Sequence, residues 1–382
     1  MKTCLHGFRR VKDVTQFNGR TKICYGENAI NSLEKLKGRH AFIVTDSFMV
    51  KVGFADRIIS GLERANISHT LFDKVEPDPS LETVRQGTVQ LLSDGADLIV
   101  ALGGGSAIDA AKAMMDFAYK ADPAKGKAQL VVIPTTSGTG SEVTAVTVVT
   151  DTAAQLKIPL IDEMIVPDIA VLDARFTRSV PPSVTAATGM DVLTHALEAF
   201  VSTKANAFTD LHALHAIKYV FRYLLRCYRN GDDMEARQNM LLASCMAGMA
   251  FNNSGLGVAH SIAHTLGGLF HVPHGKANAV MLPYVIRFNS FDVRDRYRTI
   301  ARKLELPCDT VEQGNESLIE AVRWLNSQMG IPNRIRDLGI KEDDFQTGIE
   351  TMAGHAMDDA CTTTNPRRPS KRDIRQLLRQ AY

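Results

Sequence analysis

The sequence predicts an α/β domain with a parallel sheet, followed by an all-helical domain. Short apolar runs alternate with helical patterns in the first half of the chain. Pro181 and Pro182 then break the chain, and the second half is rich in Ala, Leu, Met and His at helical spacing. Because 382 residues exceed one typical core, we place two domains at 1–185 and 186–382, with the cleft between them as the expected ligand site.

Four apolar runs in the first half predict buried strands. They are "HAFIVTD" (40–46), "ADLIVALGGGS" (96–106), "AQLVVIPTTSGTGSE" (128–142) and "DIAVLDA" (168–174). Helical patterns such as "AIDAAKAMMDFAYK" lie between them. Continuous apolar strands that alternate with helices indicate a parallel sheet covered on both faces. After the prolines, the spacing predicts helices over 189–203, 207–228, 233–252 and 257–270.

Composition excludes several function classes. A hydrophobic content of 45% and a charged content of 23% are typical of a globular protein. The formal charge of +2 predicts no nucleic-acid or membrane partner, and no apolar run approaches the roughly 18 residues that span a bilayer. The basic start, "MKTCLHGFRRVKDV", lacks the apolar stretch of a secretory signal. Six scattered cysteines without a CxxC pair indicate reduced thiols, so we expect a cytoplasmic protein.

A glycine-rich turn follows the second predicted strand. Gly103, Gly104, Gly105 and Ser106 lie between that strand and a helix, whose free N–H groups and dipole suit a pyrophosphate. The pattern is not the GxGxxG fingerprint, so an ordinary tight turn stays open as an alternative.

A second polar turn, "PTTSGTGSEVT" (134–144), follows the third predicted strand. It offers the hydroxyls of Thr135, Thr136 and Thr139, although Ser/Thr loops without a ligand are common. Ligands of open α/β sheets bind at the carboxyl ends of the strands, where both turns fall. Asp46 ends the first predicted strand, where it either binds an adenosine ribose and favours NAD over NADP, or caps the helix that begins near Phe48.

The stretch "GMDVLTHALE" (189–198) places Asp191 and His195 four residues apart. On a helix, that spacing puts both side chains on one face. They are either a hydrogen-bonded pair that satisfies itself in the core, or two ligands of a metal ion.

Further histidines in the helical half offer additional metal ligands. The spacing alone leaves six candidates for four positions, namely Asp191, His195, His260, His264, His271 and His274. A site of imidazoles and one carboxylate suits Fe(II), Zn, Co or Mn and does not choose between them.

Five motifs carry a family resemblance: "GGGSAIDAAK", "IPTTSGTGSEVT", "GMDVLTHALEAF", "AGMAFNNSGLGVAHSIAHTLGG" and "HVPHGKANAVMLP". The chain resembles the group III, iron-containing alcohol dehydrogenases over nearly its whole length, from residue 21 to residue 368. The resemblance implies four metal ligands: Asp191, His195, His260 and His274. It places His264 near the metal and the nicotinamide, as the candidate catalytic residue for proton relay.

The resemblance also implies the cofactor and the reaction. The cofactor-binding positions that match the family are Asp46, Gly103, Gly104, Gly105, Ser106, Asp109, Thr135, Thr136, Thr139 and Lys157. The implied activity is the NAD-dependent interconversion of short-chain primary alcohols and aldehydes, with Fe(II), or alternatively Zn(II), as Lewis acid. A homodimer or higher homo-oligomer is expected.

Other activities on the same scaffold remain alternatives. They are a polyol dehydrogenase acting on 1,3-propanediol, lactaldehyde or glycerol, and a hydroxyacid–oxoacid transhydrogenase. An inactive shell-associated homologue is a further alternative, against which the complete set of ligands stands. The short link "DFAYKADPAKGKAQLVV" resembles the 1-propanol and ethanol dehydrogenases of bacterial microcompartments. Residues 1–20 form an N-terminal extension that is either a shell-targeting peptide or a frayed tail.

Overall fold

The computed structural model describes residues 15–152, 156–293 and 295–382. These residues form two compact units: one runs from Gly19 to Val180, and the other from Pro181 to Tyr382 together with residues 15–18. This division falls directly before the two prolines, while the boundary after residue 185 stays a prediction. The proposed targeting segment lies outside the described residues as far as residue 14.

The first unit contains a sheet of six described strands, all parallel, in the order β1-β8-β5-β4-β2-β3. The strands are β1 (Lys22–Tyr25), β2 (His40–Val44), β3 (Ser68–Phe72), β4 (Leu98–Gly103), β5 (Gln129–Pro134) and β8 (Ile169–Leu172). An antiparallel pair, β6 (Val146–Asp151) and β7 (Leu156–Ile161), stands apart from this sheet. The chain turns from one half of the sheet to the other between β2 and β4, which is where ligands bind in open α/β sheets.

Helices cover both faces of the six-stranded sheet. They are α1 (Ser47–Lys51), α2 (Phe54–Arg64), α3 (Leu81–Asp94) and α4 (Gly105–Ala121). Successive strand residues enter opposite cores, because Ile43 and Val100 belong to one apolar cluster and Phe42 and Ala101 to the other. The predicted sheet with two covered faces is therefore confirmed. The sequence analysis missed β1, β3, β6 and β7, since these strands are partly exposed and lack a continuous apolar run.

The second unit is helical. Its helices are α5 (Pro182–Val201), α6 (Ala207–Arg229), α7 (Met234–Ser254), α8 (Val258–Phe270), α9 (His274–Asn289), α10 (Arg296–Lys303), α11 (Val311–Gln328), α12 (Glu342–Asp358) and α13 (Lys371–Ala381). The predicted start of α5 at residue 189 was wrong, because Pro182 opens the helix at a position where the missing N–H costs nothing. Among the described residues, no helix has the length and hydropathy to span a bilayer.

Candidate active site

Helix α5 carries three polar side chains on one buried face. Asp191, His195 and Glu198 are four and three residues apart, so they stack along the helix one turn after another. All three are at most 5% exposed. Burying so many polar groups on one helix requires partners for them, which neighbouring helices supply.

Helices α8 and α9 bring His260 and His274 to this face. Nε2 of His260 lies 3.7 Å and Nε2 of His274 3.3 Å from Oδ1 of Asp191. The rings of His195 and His260 stack with their centroids 4.6 Å apart. One ligand atom each from Asp191, His195 and His260 lies within 4.8 Å of the others. The structure thus brings together the four residues to which the resemblance assigned the metal.

The donor atoms of this cluster fit a divalent cation. Nε2 of His260 is buried and has no hydrogen-bond partner among the described residues, so it is available as a ligand. Burial alone would raise the pKa of Asp191, but the surrounding histidines outweigh burial and hold that pKa well below its usual range. An ionised carboxylate among imidazole nitrogens is a donor set for Fe(II) or Zn(II).

Glu198 orients His260, a role that the sequence analysis missed. Its Oε2 accepts hydrogen bonds from Nδ1 of His260 at 2.6 Å and from the backbone N–H of Gly257 at 2.8 Å. Its Oε1 accepts from the N–H of Ala259 at 2.7 Å. A carboxylate on the far ring nitrogen fixes the tautomer that presents Nε2 to a metal. The spacing of three after His195 was the signal for this role.

Asn278 is a second missed residue. It is fully buried and lies one turn beyond His274 on α9. Its Nδ2 donates a hydrogen bond of 2.7 Å to Oδ1 of Asp191 and lies 3.1 Å from Nε2 of His274. Asn278 therefore fixes the positions of Asp191 and His274 relative to each other. Its spacing of four from His274 was the signal available in the sequence.

The cluster is open on one side. The side chain of His260 is 1% exposed, whereas those of His274 and His264 are 42% and 44% exposed. An accessible side leaves room for a substrate oxygen beside the protein ligands. The ring of His264 stacks on His274 with centroids 5.3 Å apart, and its Nδ1 lies 2.8 Å from Oδ2 of Asp359. His271, by contrast, is exposed and has the left-handed backbone conformation of the residue that ends α8.

The predicted cofactor residues of the first unit meet at the edge of the sheet that is formed by the carboxyl ends of the strands. Strand β4 lies between β2 and β5, and all three are parallel. Asp46 follows β2, the glycine turn ends β4, and Thr135 follows β5. The N–H of Thr135 donates to the carbonyl of Gly103, which ties the two turns together at 2.9 Å. Neighbouring carboxyl ends thus bring together turns that are distant in sequence.

The glycines of the first turn lie close to the side chains of the second turn, and Gly103 also has a backbone conformation that favours glycine. Gly103 has a φ of 153°, which side chains rarely adopt, and a Cβ at Gly105 would lie 2.8 Å from Cγ2 of Thr139. A Cβ at Gly104 would lie 3.3 Å from Oγ1 of Thr136. Backbone without side chains at the start of α4 leaves N–H groups accessible, and such groups fit the pyrophosphate of a dinucleotide.

Both interpretations of Asp46 find support. Its Oδ1 caps α1 by accepting from the N–H of Met49 at 3.0 Å. Its Oδ2 lies only 3.7 Å from the position a Cβ of Gly103 would take, beside the glycine turn. One carboxylate oxygen thus serves the helix, and the other lies where a ribose hydroxyl is expected.

The other predicted cofactor-binding positions differ in what they contact. Lys157 forms an ion pair of 2.6 Å with Asp78, whose N–H donates to Oγ of Ser106 at 3.3 Å. Asp109 accepts from Oγ of Ser141 at 2.8 Å and from the N–H of Val148 at 3.1 Å. Both oxygens of Asp109 therefore bind the protein, so its contribution is to fix the second turn.

Lys112 is a buried residue that holds the second turn through hydrogen bonds, and the sequence analysis did not identify it. Its Nζ donates to Oγ of Ser141 at 3.0 Å and to the carbonyls of Thr144 and Val146 at 2.8 Å and 2.9 Å. Burial lowers the pKa of Lys112 to about 8, although Asp109 and Glu142 act in the opposite direction. This side chain joins α4 to the end of the second turn, so the two turns form one connected structure.

Two family models together match most of the chain. The iron-containing alcohol dehydrogenase model matches residues 20–174, and the C-terminal model of the Fe-containing alcohol dehydrogenase family matches residues 185–382. The chain belongs to the iron-containing alcohol dehydrogenase family. Family membership makes the chain an oxidoreductase and confirms the predicted enzyme class.

Individual members of the family are similar over nearly their full length. The NADPH-dependent butanol dehydrogenase of Clostridium saccharobutylicum is 42% identical, covering 94% of this chain and 96% of the relative. The 1-propanol dehydrogenase PduQ of Citrobacter freundii is 39% identical, covering 95% and 99%. A crystal structure of 1,3-propanediol oxidoreductase superposes with a TM-score of 0.91 at 35% identity, covering 97% and 100%. These matches confirm a parallel-sheet domain followed by a helical domain.

Proposed function

We propose that this member of the iron-containing alcohol dehydrogenase family uses NAD(H) and a divalent metal to interconvert short-chain primary alcohols and aldehydes. The observation that carries the proposal is the cluster of Asp191, His195, His260 and His274, in which the first three side chains are buried and that of His274 is 42% exposed. Fe(II) is the proposed metal because the family is described as iron-containing, and Zn(II) is the alternative.

The helical residues prepare the reaction centre. A divalent cation held there would act as a Lewis acid on the oxygen of the alcohol or aldehyde, while NAD accepts or returns the hydride. Asp191 supplies the negative charge that offsets the cation, and Glu198 keeps Nε2 of His260 turned toward it. His274 completes the ligand set on the open side, where substrate enters.

His264 is the proposed group for proton exchange. Its ring stacks on His274 and is half-exposed, so it reaches both the cluster and solvent. Asp359 engages Nδ1, which leaves Nε2 as the nitrogen that can take the hydroxyl proton of the alcohol or return it.

NAD is the proposed cofactor, and Asp46 is the proposed reason. The uncapped oxygen of Asp46 suits a ribose hydroxyl and would repel a 2′-phosphate. The butanol dehydrogenase relative is named as NADPH-dependent, so the preference has to be measured on this chain.

The names of the relatives support small primary alcohols as substrates. Butanol and 1-propanol dehydrogenases favour the main proposal, while the 1,3-propanediol oxidoreductase favours a polyol equally. A microcompartment location is proposed from the short link over residues 116–132, which resembles that of the microcompartment 1-propanol dehydrogenases. That location and a homo-oligomeric assembly stay predictions.

NADH oxidation tests the proposal. Anaerobically purified protein is assayed with propanal, acetaldehyde and 3-hydroxypropanal, with Fe(II), with Zn(II) and after chelation. We expect NADH loss that requires metal and is fastest with propanal or acetaldehyde. A clear preference for 3-hydroxypropanal would select the polyol alternative. Hydride exchange between a hydroxyacid and an oxoacid without added NADH would select the transhydrogenase. No turnover with any aldehyde, despite bound metal, would contradict the proposal.

A further inference from the structure

A second group of metal-binding side chains lies beside the cluster described above and shares no ligand with it. His264, Asp359 and Cys361 each offer one ligand atom, and these atoms lie within 4.8 Å of one another. His264 comes from α8, while Asp359 and Cys361 lie two residues apart at the end of α12 and in the turn that follows it.

We propose that His264, Asp359 and Cys361 form a second, inhibitory site for a thiophilic divalent cation such as Zn²⁺. Nitrogen, carboxylate oxygen and sulfur are the three donor types of protein zinc sites, and water would complete a tetrahedron. Metal–ligand bonds of about 2.0 to 2.3 Å place neighbouring donors about 3 to 4 Å apart, so small side-chain rotations suffice.

The carboxylate of Asp359 is already positioned for this role. Its Oδ1 accepts from the N–H of Cys361 at 2.8 Å and from Oγ of Ser261 at 3.3 Å. Its Oδ2 faces Nδ1 of His264 at 2.8 Å. The backbone contact anchors one oxygen, and the other is paired with the imidazole. A cation entering here would bind Nδ1 of His264, whose proton would move to Nε2 of the ring or, from a doubly protonated ring, to solvent, and would release the thiol proton of Cys361 to solvent.

The site is accessible from solvent, since the side chains of His264 and Asp359 are 44% and 21% exposed. Occupation would fix the ring of His264 and place positive charge next to His274, on which that ring stacks. Binding at the second site does not depend on the proposed function. Inhibition does, because it assumes that His264 exchanges the proton.

Cobalt provides a selective probe, because the first cluster offers only nitrogen and oxygen ligands. Co²⁺ is titrated into protein whose first site is filled with Zn²⁺, and the thiolate-to-cobalt charge-transfer band is recorded. We expect a band that saturates at one equivalent, is lost in Cys361→Ser and is retained in Cys308→Ser, a partly buried thiol elsewhere in the helical unit. Asp359→Asn should weaken Co²⁺ binding about tenfold to a hundredfold and serves as the second variant if Cys361→Ser does not fold.

Either of two results overturns the site: no charge-transfer band in the unsubstituted protein, or a band of unchanged intensity in Cys361→Ser. In parallel, Zn²⁺ beyond the first equivalent should inhibit NADH oxidation, and Cys361→Ser should need about tenfold more Zn²⁺ for the same inhibition. A cobalt band without inhibition would overturn the inhibitory role alone. Failure of all turnover before zinc addition would instead count against the proposed function.

Discussion

The proposed metal site of the helical unit is built from side chains, whereas the proposed cofactor site of the sheet unit, at the carboxyl ends of the strands, is built largely from backbone. In the helical unit the proposed binding groups are side chains: Asp191, His195, His260 and His274 are the proposed metal ligands, and Glu198 and Asn278 orient them. At the carboxyl ends of the parallel strands, the proposed cofactor-binding surface is backbone that the absence of side chains at Gly103, Gly104 and Gly105 leaves accessible. We therefore expect metal binding to be lost when a ligand side chain is removed, and cofactor binding to be weakened when a side chain is added at the glycines.

This contrast gives the two sites different sensitivities. Asp191 and His260 are buried and hydrogen-bonded, so the loss of His260 leaves Glu198, and the loss of Asp191 leaves Asn278, with an unmatched polar group. A glycine at the sheet edge can be changed without removing any hydrogen bond, and only the close approach of the turns is lost. Substitutions in each unit therefore separate metal binding from cofactor binding.

The largest effect is expected for Asp191→Ala. The variant loses the carboxylate that offsets the cation, so bound metal and turnover should fall together. Losing a Lewis acid worth several kcal/mol corresponds to about a thousandfold or more in kcat. Metal analysis and NADH oxidation measure the two losses. Turnover that survives in metal-free Asp191→Ala would remove the metal from the mechanism.

Gly105→Val tests the proposed cofactor site. A Cβ there would lie 2.8 Å from Cγ2 of Thr139, so the Thr139 side chain or the turn that carries it must shift. Overpacking of about 1 to 3 kcal/mol predicts NADH binding that is about tenfold to a hundredfold weaker, with metal content unchanged. Gly268→Ala is the control, because a Cβ at Gly268 meets nothing within 4 Å. Unchanged NADH affinity in Gly105→Val, measured by fluorescence titration, would argue against a pyrophosphate at this turn.

Glu198→Gln tests whether the orientation of His260 contributes to metal binding. The neutral amide keeps the size of the side chain but weakens the hold on Nδ1 of His260, so metal affinity should fall about tenfold while the fold is kept. Competition with a chelator of known affinity measures this change. An equal loss of NADH affinity would show that Glu198 acts through general destabilisation.

An effect of about the same size as that of Glu198→Gln is expected for Asp46. Asp46→Gly removes the repulsion of a 2′-phosphate, so the ratio of kcat/KM for NAD to that for NADP should fall about tenfold, a change of about 1.4 kcal/mol. Asp46→Asn keeps a cap on α1 and separates loss of charge from loss of the helix cap. A ratio that stays the same in both variants would mean that Asp46 does not select the cofactor.

The contrast also explains what could be predicted from the sequence. Helical spacing revealed Asp191 and His195, and the apolar runs revealed β2, β4, β5 and β8 before any coordinates. The spacing left six candidate ligands for four positions, because only folding shows that α8 and α9 meet α5. Glu198 and Asn278 were missed although they lie three residues after His195 and four residues after His274, because spacing alone does not distinguish a metal ligand from a residue that orients one. Asp359 was missed because its contact with His264 joins positions that are distant in sequence. The exposed strands β1 and β3 were missed because their patterns are not apolar enough.

The central claim is that the helical unit holds the metal and the sheet edge holds the cofactor independently. Metal content and NADH affinity measured together on His274→Ala and Gly105→Val test it directly, with His271→Asn as the control for an exposed histidine. We predict a crossed result: His274→Ala loses metal and keeps NADH affinity, while Gly105→Val keeps metal and loses NADH affinity. Loss of both properties in either variant, with the fold intact by circular dichroism, would contradict the claim.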